Sequence, residues 1–204
     1  MKNEENIKFN LPEDLKKCIE FHGHLCPGLV YGYRVAKEAI TLLDLKRSKD
    51  EEVVVISEND SCAVDALQVL LGTSIGKGNL IFKDYGKNAY TILNRSSKRA
   101  FRFSRNKYYR YGGELREEFK RLDQSITSDT ATQKEKRRQK ILKSRDLLSK
   151  PFSDVFSTKE VDIAMPPYAP LARSEACAKC GEMTMSTKMV CAKNGKRICT
   201  PCST

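Results

Sequence analysis

The sequence predicts an α+β fold, with helices packed on a small, mostly antiparallel sheet and a separate cysteine-rich module at the C-terminus. Three observations carry this expectation. Apolar residues at helical spacing alternate with short β-branched runs over the first hundred residues. The later strand-like runs follow one another directly, as antiparallel neighbours do. Four of the eight cysteines stand as two Cys-x-x-Cys pairs near the end of the chain.

Taken in order, Pro12 followed by EDLKKCIEF reads as a short helix with the proline near its first turn, interrupted by Gly23 and Pro27. PGLVYGYRVAKEAITLLDL, from Pro27, reads as a long helix, with Val30, Ala36, Ala39, Ile40 and Leu43 at helical spacing. EVVVISE (52–58) has the composition of a buried strand. NDSCAVDALQVLLG then gives a helix, with Asp60 or Ser61 as N-cap and Gly72 as stop. GTSIGKGN (72–79) is a loop. LIFKDYGKNAYTILN reads as two strands joined through Asp84–Lys87, and KRAFRFS as a third. The charged stretch 107–150 predicts helices around 114–122 and 132–149, separated by SITSDTATQ. Pro166, Pro167 and Pro170 mark a boundary between a core domain, 1–165, and a linker plus tail, 166–204.

A chain of 204 residues with 40% hydrophobic residues can build a core. No apolar run approaches the length of a bilayer span, and MKNEENIKFN lacks the apolar region of a leader, so a soluble cytoplasmic protein with no membrane partner is expected. The net charge of +11 is concentrated. Residues 95–150 hold 18 Lys and Arg against 7 Asp and Glu, whereas the remainder holds 19 of each. Such a segment is either the solvated face of charged helices or a phosphate- or nucleic-acid-binding face, and KYYRY (107–111) interleaves aromatics with its cations.

Cys177, Cys180, Cys199 and Cys202 form two knuckles 18 residues apart. Each knuckle presents two thiolates, and the two pairs complete a tetrahedron around zinc. With no export signal, disulfides are the weaker use of these thiols. A tail this short buries little core, so the ion supplies much of its folding free energy, and four thiolates leave no open position. Cys191 falls outside the pairs and reads as a strand side chain.

The only two histidines, His22 and His24, share the octapeptide FHGHLCPG with Cys26. A residue before proline is pushed to extended backbone, and alternate residues of an extended segment share a face. Cys26 should therefore be extended, at the N-cap of the helix that Pro27 begins, where the helix dipole favours a thiolate. Cys62 has a similar setting at the start of the next helix. Two thiols at two helix starts, with imidazoles, could make an open metal site or a nucleophile with its base; each alone is as readily a packed side chain. Lys77 in the glycine loop is a candidate anion-binding group or simply part of a turn. The loop is not a Walker A motif, because Gly72-x3-Gly76-Lys77 runs into Gly78.

FHGHLCPG, SENDSCAVDALQVLLGTSIGKGNLIFKDYGKNAYT and the four-cysteine tail together resemble the FmdE-like family of formylmethanofuran dehydrogenase subunits over roughly residues 15–105 and 168–204. The resemblance implies an α+β core, a C-terminal zinc ribbon and a homodimer. It also implies a core metal site drawn from His22, His24, Cys26, Cys62 and Asp65, with Lys77 nearby. Family members commonly carry Gly-Cys-Thr before the Gly-Lys-Gly loop, whereas Gly72 here precedes Thr73 and Ser74, so one thiol is missing.

The preferred functional expectation is a metal-binding accessory or catalytic component of one-carbon or redox metabolism, within a homodimer or a larger enzyme complex. Cys26 and Cys62 would be thiolate ligands or nucleophiles, His24 or His22 a ligand or general base, and Asp65 an orienting group. The alternative is a non-catalytic zinc-ribbon module that binds nucleic acid or protein through its basic segment and through Lys179, Lys188, Lys193, Lys196 and Arg197.

Overall fold

The first part of the chain forms α1 (Glu13–His22), α2 (Pro27–Leu43), β1 (Val53–Ser57), α3 (Ala63–Leu71), β2 (Leu80–Phe82), β3 (Ala89–Asn94), β4 (Arg99–Ser104), α4 (Arg116–Thr127), α5 (Gln133–Ser149) and β5 (Ser157–Glu160). The structure is a computed structural model that describes residues 11–203. MKNEENIKFN, read above for a leader, lies outside the described residues. The chain separates into two units, one ending at Pro166 and the other beginning at Pro167.

The five strands form one sheet in the order β2-β1-β3-β4-β5, with β1 parallel to β2 and every other pair antiparallel. All five residues of β1 are buried, which is why Val53–Ile56 is a continuous apolar run rather than an alternating one. Val53 and Val55 join Val30 and Ala36 of α2, Leu67 of α3 and Ile92 of β3 in the main core. Val54 and Ile56 point to the other face and pack with Leu93 and Ala100. The α+β class read from the sequence is therefore the observed one.

Three details differ from the sequence expectation. The strands joined through Asp84–Lys87 do not pair with each other, because β1 lies between them and pairs with both. A strand buried along its whole length needs a neighbour on each edge for its backbone N–H and C=O groups, and β2 and β3 supply them. The N-cap of α3 is Cys62, with helical φ and ψ of −48° and −21°, rather than Asp60 or Ser61. The Asn59 side chain accepts the Ser61 N–H at 3.0 Å and so holds the preceding turn outside the helix. The edge strand β5 has the polar sequence STKE, three of its four residues exposed, and its composition gives no strand signal. Gly72 stops α3 as expected, at φ 71° with its N–H donated to the Gln68 carbonyl.

The second unit contains two antiparallel pairs, β6 (Ser174–Ala176) with β7 (Met183–Met185) and β8 (Met189–Cys191) with β9 (Arg197–Cys199). Its buried apolar content is little more than Cys177, Ile198 and Cys199. The KNG segment turns the chain between β8 and β9, with Gly195 at φ 78°. Among the described residues no helix is long and apolar enough to cross a membrane.

The helices α2 and α3 meet at two glycines four residues apart on one face of α2. A Cβ on Gly32 would stand 2.0 Å from the Ala63 carbonyl oxygen, and one on Gly28 would stand 2.9 Å from Cys62 Cβ. Gly32→Ala must therefore push the helices apart, at a cost of about 1–3 kcal/mol or more. Chemical denaturation should show a lower midpoint at unchanged slope; an unaltered midpoint would contradict this packing.

Candidate metal centres

His22 is the last residue of α1, and Gly23 closes that helix in the left-handed region at φ 91°. The chain then reaches Cys26, extended at φ −145° and ψ 160°, whose thiol accepts the Leu29 N–H at 3.4 Å as N-cap of α2. The extended N-cap geometry is the one the following proline dictates. His22, His24 and Cys26 each offer a donor atom within 4.8 Å of the others. They do not converge as alternate residues of one extended segment, however, because His22 is helical and the left-handed turn at Gly23 changes the chain's direction after it.

Asp65 lies in the first turn of α3 and its carboxylate is 2.6 Å from Nδ1 of His22. With Nδ1 donating to that carboxylate, Nε2 carries the lone pair, and it lies 3.6 Å from the Cys26 sulfur. This is how a carboxylate fixes the ring of a metal-ligating histidine. His24 is exposed, with its ring centroid 4.6 Å from that of His22. Desolvation, then the charges of His22 and Lys140, hold its pKa below the usual imidazole range, so it is neutral at pH 7 and its lone pair is available. The structure thus gives Asp65 to His22, not to His24.

Cys62 adjoins the cluster beside Cys26, outside the three residues whose donor atoms all lie within 4.8 Å of one another. From Gly28, a Cβ would lie 3.4 Å from the Cys62 sulfur and 3.8 Å from the Cys26 sulfur, so the bare backbone of α2 lets both thiols approach. Burial, followed by the neighbouring Cys26 thiol, pushes the Cys62 thiol above its ordinary pKa. The arrangement provides one sulfur and two nitrogen donors that converge, a second sulfur beside Cys26, and one imidazole open to solvent.

Lys77 is not part of this cluster. Its ammonium donates to the Gly72 carbonyl and to those of Ser48, at 3.3 Å, and Lys49, at 3.4 Å. Asn79, fully buried, donates to the carbonyls of Asp50 and Val53 and accepts the Ser74 N–H, so the glycine loop is stapled from within. Thr73 is buried and its hydroxyl has no hydrogen-bond partner. Gly28 and Gly32 carry no reactive group; the one sign of their part in the site is their four-residue spacing just after Cys26.

In the second unit the sulfurs of Cys177, Cys180, Cys199 and Cys202 all lie within 4.8 Å of one another. Cys180 and Cys199 are 3.9 Å apart, close to the tetrahedral edge of about 3.8 Å that metal–sulfur bonds of about 2.3 Å require. N–H groups of Cys180, Cys199 and Lys179 donate to the Cys177 sulfur and lower its pKa to about 6. The adjacent Cys199 thiol, then burial, pushes Cys202 up to about 12. Thiols this close cannot all ionise unless a cation shares the space, and the N–H donors then stabilise the thiolates that remain. Cys191 lies outside the cluster and is exposed.

Two donor sets of this kind, one on an α+β core and one in a four-cysteine ribbon, define a protein equipped to bind metal. The family model described as "FmdE, Molybdenum formylmethanofuran dehydrogenase operon" matches residues 21–157, more than half of the chain, and the chain belongs to that family. It is similar to a probable S-adenosyl-L-methionine-binding protein of Archaeoglobus fulgidus, 29% identical over 211 residues covering 98% of this chain and 55% of that protein. The chain therefore spans about half the length of this relative. Its fold resembles that of a tungsten formylmethanofuran dehydrogenase FmdE-like protein from Syntrophus aciditrophicus, with a TM-score of 0.59 and 18% identity, covering 99% of this chain and 96% of that one.

The thiol pKa values predict how the ribbon's metal affinity depends on pH. Cys177 is ionised above about pH 6, whereas Cys180 and Cys202 are raised and must lose protons as an ion enters. Each proton displaced contributes a factor of about ten per pH unit, so affinity should climb by at least about a hundredfold from pH 7 to 8. Chelator competition at the two pH values measures this, and a flat profile would contradict it.

Proposed function

We propose that the protein is a two-centre metal protein of the FmdE family. In this reading the ribbon holds a structural zinc, and His22, His24, Cys26 and Cys62 hold a second divalent ion that serves one-carbon or redox chemistry. The observation that carries it is the Asp65–His22–Cys26 alignment, with the Asp65 carboxylate 2.6 Å from Nδ1 and the Cys26 sulfur 3.6 Å from Nε2. The donor set also fits: thiolates and imidazoles suit zinc and neighbouring transition ions, and all four ribbon ligands are sulfur.

The chain's own groups divide the work. Asp65 fixes the His22 ring and makes its Nε2 more basic. Cys26 and Cys62 supply negative charge, the first with its sulfur held by the Leu29 N–H. His24, exposed at the mouth, is free to rotate toward an ion or to accept a proton from a substrate. Bound there, a divalent ion would supply Lewis-acid polarisation of a substrate oxygen. Thr73, where relatives commonly carry cysteine, supplies no thiol, so a dithiol mechanism at that point is not part of the proposal. One-carbon chemistry is supported by the operon named in the family description and by the methyl-donor ligand in the relative's name.

Metal analysis of chain purified without chelator should give about two ions per chain. Replacing both Cys26 and Cys62 with Ser should lower this by about one while the ribbon stays loaded. Stoichiometry unchanged by the double substitution would remove the core site, and metal-free protein would remove both. The same reading has the chain form a homodimer, for which the exposed Ile75, Phe82 and Tyr85 near the β2 edge offer apolar surface. A monomer mass from light scattering would remove that part.

A further inference from the structure

Several cations of the basic segment are held in ion pairs along its helices. Arg138 pairs with Glu118 at 2.8 Å, Lys136 with Asp129 at 3.6 Å and Arg121 with Glu135 at 3.7 Å. Arg105, just past β4, and Lys143, on α5, stand out by the rings they contact. Among the described residues neither makes an ion pair, and each cation sits over an aromatic ring: Arg105 4.4 Å from the Tyr31 centroid, Lys143 4.5 Å from that of Tyr109.

These two cations line adjoining clefts of about 440 and 580 Å³ that share Arg105, Tyr108 and Tyr109. Their size falls in the range of small-molecule sites. The nearby carboxylates compensate the cations only in part. Asp146 accepts from the Tyr109 hydroxyl at 2.6 Å and the Gly112 N–H at 2.9 Å, and it pairs with Lys150 at 3.4 Å. Asp123 accepts from Gln139 at 3.1 Å and offsets part of the Lys143 charge, acting against Arg105; Asp154 lines only the first cleft. Burial, then the charge of Arg105, pulls the Lys143 pKa below the usual lysine range. A solvated lysine on a helix face would not be perturbed in this way. Two cations facing each other in a concave site repel, and an anion between them relieves both.

The aromatic groups narrow the choice of anion. Tyr108 is 96% exposed at the junction of the two clefts, a large ring with no core to pack against. Exposed tyrosines beside arginine present a stacking face for a planar base, and guanidinium groups bind phosphate with two parallel hydrogen bonds. The clefts are confined to one unit and have the volume for one nucleotide, whereas a polymer needs a groove that follows its backbone.

We propose that this cleft binds a nucleoside monophosphate, with the phosphate between Arg105 and Lys143 and the base on Tyr108. None of the cysteines or histidines takes part, so the site does not depend on the metal reading.

Calorimetric titration of the full chain with adenosine 5′-monophosphate and uridine 5′-monophosphate tests this. Both should bind, while adenosine, inorganic phosphate and S-adenosyl-L-methionine should bind more weakly by about tenfold or more. Arg105→Gln and Lys143→Gln should each weaken nucleotide binding by a similar factor, with the thermal melt unchanged. Should Arg105→Gln fail to fold, Lys143→Gln alone decides. No nucleotide binding, variants that bind like the parent, or S-adenosyl-L-methionine bound as well as the monophosphates would overturn the proposal. So would a short single-stranded RNA that binds where monophosphates do not.

Discussion

The core centre depends on one contact, the approach of α2 to α3 through Gly28 and Gly32. With no side chain at either position, the Ala63 carbonyl occupies the space where a Cβ on residue 32 would stand. Both helices begin with a cysteine at the N-cap, so locking their first turns together makes neighbours of Cys26 and Cys62, 36 residues apart in sequence. Asp65, one turn into α3, then reaches His22 at the end of α1. Every donor comes from a helix terminus or the short link between two of them, where backbone geometry is set by caps rather than by loops.

Helix starts favour thiolates, yet the Cys62 thiol is raised. Burial and the second sulfur outweigh the dipole, because two adjacent thiols cannot both carry charge without a cation. The same constraint governs the ribbon, where N–H donors select Cys177 as the ionised sulfur and push the burden onto Cys202. The two clusters differ in access. The ribbon has four sulfurs and no other donor, the composition of a closed site; the core has mixed donors and an exposed imidazole, the composition of an open one.

Local chemistry was legible in the sequence, and contacts between distant segments were not. Pro27 announces both the start of α2 and the extended Cys26, and the two Cys-x-x-Cys pairs announce the ribbon. The insertion of β1 between β2 and β3 was not legible, because adjacency in sequence favours a hairpin and only the burial of both faces and edges of Val53–Ser57 decides otherwise. The strand β5 is polar and exposed, and becomes a strand only by pairing with β4, Lys159 opposite Arg102. Which histidine takes Asp65 turns on the backbone of Gly23, which no residue pattern reports. Lys77 stood out for its charge, but its setting among carbonyls makes it a strut of the loop.

If His22, His24, Cys26 and Cys62 form one mixed sulfur–nitrogen metal centre apart from the ribbon, X-ray absorption fine structure of the zinc-loaded chain will register it directly. A mixed shell is expected, sulfur at about 2.3 Å with nitrogen at about 2.0 Å, and the nitrogen component should vanish when His22 and His24 are both replaced by Gln. A shell of sulfur alone, unchanged by that replacement, would contradict the mixed centre.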